Sequence, residues 1–249
     1  MTWLLLALAG VLAGAMNAVA GGGSFASLPA LLAVGLPATL ANASSTVALV
    51  PGSLASVWAY RGQGVSVGPT PLPQLLAVSV AGGLAGAILL LMTPTTLFDR
   101  VIPWLLLLAT LTLAFGPRLR EALARRNLRI GPAAALVAQG LLGIYAGYFG
   151  GAVGLMMMAL WTLTSDLDLK TLTPARVLLV TAANATAVAC FIVAGAVRWG
   201  PTLAVMAGAV VGGYLGARLG LRLPARVVRA VVLAITTLTT AAFFIRAYR

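Results

Sequence analysis

The chain has 249 residues, 61% of them hydrophobic and only 8% charged, with a formal net charge of +12 and no histidine. An ordinary soluble domain carries about 25% charged residues, so so few charges cannot cover a water-facing surface. The excess of basic residues lies between apolar runs, where it sets topology, and not in the basic, aromatic-interleaved stripes of a nucleic-acid footprint.

The first apolar run, 2–20, approaches the roughly 20 residues that span a bilayer core. No Lys or Arg precedes it, unlike the positive start of a secretory signal, so it is expected to be retained as a helix. It ends in "AGGGSFASLP" (20–29). Gly21, Gly22, Gly23, Ser24 and Pro29 there each weaken a helix. Further apolar segments follow at 24–35, 38–59, 71–92, 99–115, 132–149, 151–164, 174–196, 201–221 and 225–246. Segments 24–35 and 151–164 are too short to span and suit half-helices or re-entrant pieces. The short alternating segments of a membrane β-barrel are missing. The expected fold is an all-α polytopic membrane protein with eight to ten hydrophobic segments. The single cysteine, Cys190, reads as a small core residue.

The short segments stand second in each group of five, which points to a duplication. "GAMNAVAGGGSFASLPAL" (14–31) aligns with "GIYAGYFGGAVGLMMMAL" (143–160). "GGLAGAILLLMTPTTLFDRVI" (82–102) aligns with "GGYLGARLGLRLPARVVRAVV" (212–232). The offset stays near 129–130, matching Gly83 with Gly213, Gly86 with Gly216 and Pro94 with Pro224. The expected organisation is a first repeat 1–116, a linker 117–130 and a second repeat 131–249. The linker's five arginines place it in the cytoplasm. If each segment reverses the chain, Arg61, Lys170, Arg176, Arg218, Arg222, Arg226 and Arg229 also lie inside. Arg100, Arg198, Arg246 and Arg249 remain outside, with both termini. Five reversals per repeat make the second repeat inverted relative to the first.

Inverted repeats with broken helices are a transporter architecture, holding substrate near the midplane at broken helix ends. A helix start exposes unpaired N–H groups and the positive end of the helix dipole, which attracts anions without a charged side chain. Gly21–Gly23, with Ser24 after them, would be one such break. "FGGAVG" (149–154), with Gly150 and Gly151, would be the other. Close helix packing is the bland reading of glycines in a membrane. It is preferred for Gly82 and Gly86 and for the ladder Gly208, Gly212, Gly216, Gly220. That ladder packs within the protomer or between protomers, which leaves a homo-oligomer open. A polar cluster, Asn42, Ser44, Ser45 and Thr46, begins the third segment. It either lines the pathway or bonds within and between helices. Arg176 and Asn184 are the corresponding candidates in the second half, although topogenic anchoring also accounts for Arg176.

Asp99, Glu121, Asp166 and Asp168 all sit at segment ends or loops, so no buried carboxylate serves a proton or a cation. The site suits an anion and gives no purchase to a cation. No Ser–His pair, metal cluster or P-loop is present, so neither an enzyme nor a resident cofactor is expected. The partners expected are a small anionic substrate and membrane lipid, with no nucleic acid. A passive anion channel and a non-transporting scaffold subunit stay as alternatives.

Residues 13–56, "AGAMNAVAGGGSFASLPALLAVGLPATLANASSTVALVPGSLAS", resemble the sulfite exporter TauE/SafE family. The glycine run leads to a proline, a "GLP" turn and a small-residue, hydroxyl-rich stretch. "GIYAGYFGGAVGLMMMALWTL" (143–163) and "GAVRWG" (195–200) extend the likeness over nearly the whole chain. It implies a secondary transporter of sulfite, thiosulfate or organosulfonates in the bacterial inner membrane. The motif carries over onto Gly21, Gly22, Gly23, Asn42, Ser44, Ser45, Thr46, Gly150 and Gly151. The second motif has Ala152 where a third glycine would stand, so the first copy is expected to dominate binding.

Overall fold

The computed structural model describes residues 1–20, 22–60, 62, 64–125, 130–165, 167, 169–222 and 225–248. Gly21, Arg61, Asp166, Asp168, Pro224 and Arg249, named above, and the linker arginines Arg126 and Arg129 lie outside the described residues. Ten helices and no strand occur among the described residues. They are α1 (Thr2–Ala20), α2 (Ser24–Ala33), α3 (Ala38–Ala59), α4 (Leu72–Met92), α5 (Thr95–Arg125), α6 (Pro132–Tyr148), α7 (Val153–Trp161), α8 (Leu169–Val193), α9 (Trp199–Arg222) and α10 (Ala225–Tyr248).

The expected segments each become one helix. Five stretches are long and apolar enough to cross a membrane: Ala38–Trp58, Leu72–Met92, Thr95–Gly116, Thr171–Val193 and Ala230–Tyr248. The chain is a polytopic helical membrane protein. With 10 and 9 residues, α2 and α7 are the short members, about 15 Å or less at 1.5 Å per residue. The helix α5 departs most from its hydropathy segment and runs to Arg125. Its extension, "LREALAR", is rich in Leu, Glu, Ala and Arg, all good helix formers. Hydropathy marks where α5 leaves the apolar zone, not where it unwinds. The GLP turn ends α2 with a glycine cap: Gly35 has φ +85°. Its N–H bonds the Leu32 carbonyl, and the Leu36 N–H bonds that of Leu31, the paired bonds of a Schellman ending.

Packing crosses the chain's midpoint. The first helix α1 lies along α9, and α4 lies along α6; α3 touches both α8 and α9, and α8 also touches α4. The half-helix α2 sits among α1, α3 and α10, and α7 among α6, α8 and α5. Exchanging α1–α5 with α6–α10 in order turns α1·α9 into α6·α4, α3·α9 into α8·α4 and α2·α10 into α7·α5. On α5 and α10 the hydroxyls of Thr110 and Thr240, 130 residues apart, meet at 3.0 Å.

Small residues make the two large contacts possible. A methyl at Gly208 or Gly212 would overlap the carbonyls of Ala7 or Val11, and one at Gly10 or Gly14 those of Val205 or Ala209. Gly82, Gly86 and Gly147 play the same part between α4 and α6. The described part of the ladder, Gly208–Gly216, therefore packs within one chain, against α1. Large apolar side chains such as Leu84, Ile88, Leu141 and Leu238 face outward, whereas Ser27, Ser45, Ser79 and Gln139 are buried. This polarity is inverted relative to a soluble protein and fits lipid. Trp104, Phe244 and Tyr248 form an aromatic cluster at one end of α5 and α10. They and Ile245 line a cleft of about 490 Å³. Arg246 reaches Asp99 at 3.6 Å beside it, which matches an interfacial belt.

Two alanine substitutions separate packing from propensity. Ala is favoured over Gly inside a helix by about 1 kcal/mol. Gly52→Ala, whose added carbon meets nothing within 4 Å, should raise the melting temperature of the purified protein. Gly212→Ala should lower it, because overpacking costs about 1–3 kcal/mol. Equal behaviour of the two variants would remove the close α1–α9 contact as an explanation of the ladder.

Candidate functional site

Both breaks lie against α3. At the first, Gly22 is buried and Gly23 has an ordinary helical φ of −58°. Glycine at 23 answers to space: a Cβ would lie 2.7 Å from the Ala13 carbonyl oxygen and 2.9 Å from Leu49 Cδ1. At Gly22 it would make ordinary contacts of 3.7 Å with Phe25 and 4.0 Å with Met16. Ser24 opens α2 and is buried. One turn on, the Ser27 hydroxyl donates to the Gly23 carbonyl and lies 2.6 Å from the Ser45 hydroxyl on α3.

The second break is a tighter turn. The N–H groups of Phe149 and Gly150 both bond the Tyr145 carbonyl, at 2.9 and 3.1 Å. Gly150 has φ +79° and Ala152 φ 57°. Ala152 thus stands, fully buried, in the left-handed conformation that glycine adopts without strain. Among the described residues no backbone N–H reaches the carbonyls of Ala146 and Gly147. The Tyr148 carbonyl accepts instead from Asn42 Nδ2, at 2.9 Å. Asn42 therefore touches the second break, and Ser45, about one turn along α3, touches the first.

The polar cluster divides into satisfied and unsatisfied members. Ser44 accepts the Arg198 N–H at 3.1 Å, pinning the start of α9. Thr46 donates to the Asn42 carbonyl of its own helix at 3.0 Å. Ser45 is held by Ser27. Asn42 is 1% exposed, and its Oδ1 has no partner. Asn184 Oδ1 and Arg176 Nε are buried and unpartnered as well. Both of these residues face the second break from α8. Asn184 Oδ1 lies 3.7 Å from where a Gly150 Cβ would be, and Arg176 Cγ and Cδ lie 3.2 Å from where a Gly154 Cβ would be. Gly151 is buried between them in sequence, and its own Cβ would strike the Phe149 ring. Arg176 makes no ion pair among the described residues.

The second break thus has two electrical faces. The carbonyl end of α6 is negative and carries the asparagine oxygens; the N–H end of α7 is positive and carries the arginine. Asn42 Oδ1 and Asn184 Oδ1 stand on the α6 side of this break and Arg176 on the α7 side, each with an unpartnered atom. At the first break Ser27 and Ser45 are paired with each other.

Sequence reasoning passed over Gln139. It is fully buried, donates to Ser79 Oγ at 2.9 Å and accepts from the Trp161 indole N–H at 3.2 Å. It fastens α7 to α4 and α6. Its signal was present as a lone amide in the apolar run "AAALVAQGLL" (133–142). Thr70, whose hydroxyl is also buried and unpartnered, lies in the α3–α4 loop away from these amides.

The left-handed turn gives a direct test. A β-branched residue tolerates positive φ poorly, so Ala152→Val should cost about 1–3 kcal/mol of stability. Ala152→Gly relieves the strain at the expense of one buried methyl and should stay within about 1 kcal/mol of the parent. Thermal unfolding in detergent checks the pair; a valine as stable as the parent would contradict the turn geometry.

Comparison with known proteins gives the same class. The family model "Sulfite exporter TauE/SafE" matches residues 6–243. The chain is 28% identical over 203 residues to the probable membrane transporter protein YfcA of Escherichia coli (strain K12), covering 81% of this chain and 74% of that one. It is 29% identical over 205 residues to a probable membrane transporter protein of Haemophilus influenzae, covering 82% and 79%. It is 27% identical over 195 residues to the probable membrane transporter protein ORF9 of a Sinorhizobium species, covering 78% and 74%. No solved structure matches the chain. The chain belongs to the sulfite exporter TauE/SafE family: it is a membrane transporter and not an enzyme.

Proposed function

We propose that this transporter carries small sulfur-bearing oxyanions, sulfite, thiosulfate or organosulfonates, across the bacterial inner membrane. The observation that carries the reading is Arg176: a cation within a membrane-spanning helix, its Nε buried and unpartnered, beside the first turn of α7. An ionisable side chain within a membrane helix that buries an unpartnered nitrogen is costly and marks a functional site. An oxyanion between the guanidinium and the N–H end of α7 would satisfy both through charge-assisted hydrogen bonds. Gly150 and Gly151 lead into that place, and Asn184 stands further along α8 on the α6 side of the turn. Gly22, Gly23 and Ser24 lead into α2 at the corresponding place, with Ser45 of α3 against Ser27; Gly21 belongs to the same motif in the sequence, and Asn42, Ser44 and Thr46 stand near Ser45 on α3. The family name supports a sulfur oxyanion as the first candidate.

The exchange symmetry of the helix pairs and the Thr110–Thr240 contact support two inverted repeats, 1–116 and 131–249, rocking against each other about α5 and α10 to alternate access. Arginine bias supports a cytoplasmic linker, 117–130, with both termini outside.

The test has two readouts. A thermal-shift screen of the purified protein over sulfite, thiosulfate, sulfoacetate, taurine and sulfate should show stabilisation by at least one sulfur oxyanion. Flux of that anion into proteoliposomes should fall roughly 10- to 100-fold in Arg176→Gln, the worth of a hydrogen bond to a charged group. Gly22→Leu should also slow it. Saturable counterflow identifies a carrier, and single-channel conductance would replace it with a channel. Absence of any anion response would favour a scaffold subunit, and parental flux in Arg176→Gln would remove Arg176 from the site.

A further inference from the structure

The second break holds acceptors that an anion cannot satisfy. Asn42 Oδ1 and Asn184 Oδ1 are buried lone-pair donors with no hydrogen to accept. The orientation of Asn42 is fixed by its neighbour. Its NH₂ faces the Tyr148 carbonyl at 2.9 Å, which only a donor can do, so Oδ1 is the free atom. Asn184 presents Oδ1 toward Gly150, two residues further round the same turn. Between these helices the carbonyls of Ala146 and Gly147 point along the end of α6 with no backbone N–H upon them. Amide and carbonyl oxygens from three helices therefore stand about the negative end of α6, with no carboxylate among them. These oxygens present negative partial charge, which repels an oxyanion and attracts a cation. Divalent cations usually take carboxylate ligands, whereas unwound carbonyls and half-helix C-terminal ends hold alkali cations in transporters.

We propose that Asn42 Oδ1, Asn184 Oδ1 and the carbonyl end of α6 form a binding site for a monovalent alkali cation, with Na⁺ as the first candidate. The sequence reading, which left a cation no purchase, looked only for carboxylates. The cation site stands on the unpartnered oxygens alone. Its coupling role rests on the anion reading above. The cation would sit on the α6 side of a turn whose α7 side faces Arg176. The helix positions Arg176 and Asn184 are eight residues apart on α8, about 12 Å along its axis. Opposite charges at that spacing in a low-dielectric interior attract, so each ligand would raise the affinity for the other by the same factor. The cation would then be co-transported with the anion, and its gradient would drive the cycle without any titrating side chain.

The experiment uses the full-length protein in nanodiscs. Its melting temperature is measured in NaCl, KCl and choline chloride at equal ionic strength, with equilibrium binding of radioactive ²²Na⁺ alongside. Stabilisation by Na⁺ or K⁺ over choline is expected, and the more effective ion identifies the occupant. Asn184→Ala keeps the helix and removes one oxygen, and should weaken cation binding by on the order of tenfold. Asn184→Asp places a full negative charge at the same point and should tighten it. Arg176→Gln should lose the anion response and keep the cation response, which separates the two readings. Identical melting in all three salts, with no ²²Na⁺ bound, would overturn the cation site and mean that the oxygens are hydrated. Cation binding unchanged in both Asn184 variants would overturn this placement of it.

Discussion

Inside a bilayer a backbone N–H or C=O has no water to turn to, and each one left unpaired costs several kcal/mol. That constraint governs this fold. Two helices stop partway and restart, which frees several such groups twice over. The breaks survive only because other helices wall them from lipid, and because side chains such as Asn42 and Ser27 take up part of what is freed. The wall in turn depends on backbones that approach very closely. α1 meets α9, and α4 meets α6, through glycines whose missing methyl groups leave no room for any other residue. Lipid supplies no hydrophobic force between helices, so contact area and fit must do that work.

Much of this was legible in the sequence. Apolar runs gave the helices, and "GGG" and "FGG" marked the breaks. The spacing of Gly208, Gly212 and Gly216 marked a packing face. The sequence was silent on partners. A small-residue face says that something approaches, not which helix, and α1 finds its mate in the other half of the chain. The end of α5 was missed because hydropathy follows lipid and not hydrogen bonding. The division of the polar cluster was hidden too. Ser44, Ser45 and Thr46 look alike beside Asn42, yet three have partners and one keeps a free oxygen, which only three-dimensional neighbours decide. Gln139 was overlooked because a single amide in an apolar run has no periodicity to draw attention to it.

Ala152 shows that the two copies of the motif differ in backbone geometry. It is left-handed, at a cost of roughly 1–2 kcal/mol, whereas its counterpart Gly23 is helical. A methyl there adds buried surface and stiffens the turn between the two helix ends. The degenerate copy of the motif thus carries a left-handed alanine that the first copy lacks. It also carries the unpartnered amide oxygens and the unpartnered guanidinium nitrogen.

The pairing of α1 with α9 has a consequence for biosynthesis. Gly14 packs on Ala209, 195 residues later in the chain. At about 5–20 residues per second of synthesis, α1 waits roughly 10–40 s in the membrane before its mate exists. Throughout that interval its glycine face is open to lipid or to other nascent helices. The same holds in reverse for α6, whose partner α4 is already present when it emerges. The second half of the chain can therefore assemble onto a waiting template, while the first half cannot close until nearly the last helix arrives. The first break, whose half-helix α2 also packs on α10, becomes sealed from lipid only at that final step, whereas the helices around α7 are all present once α8 has emerged.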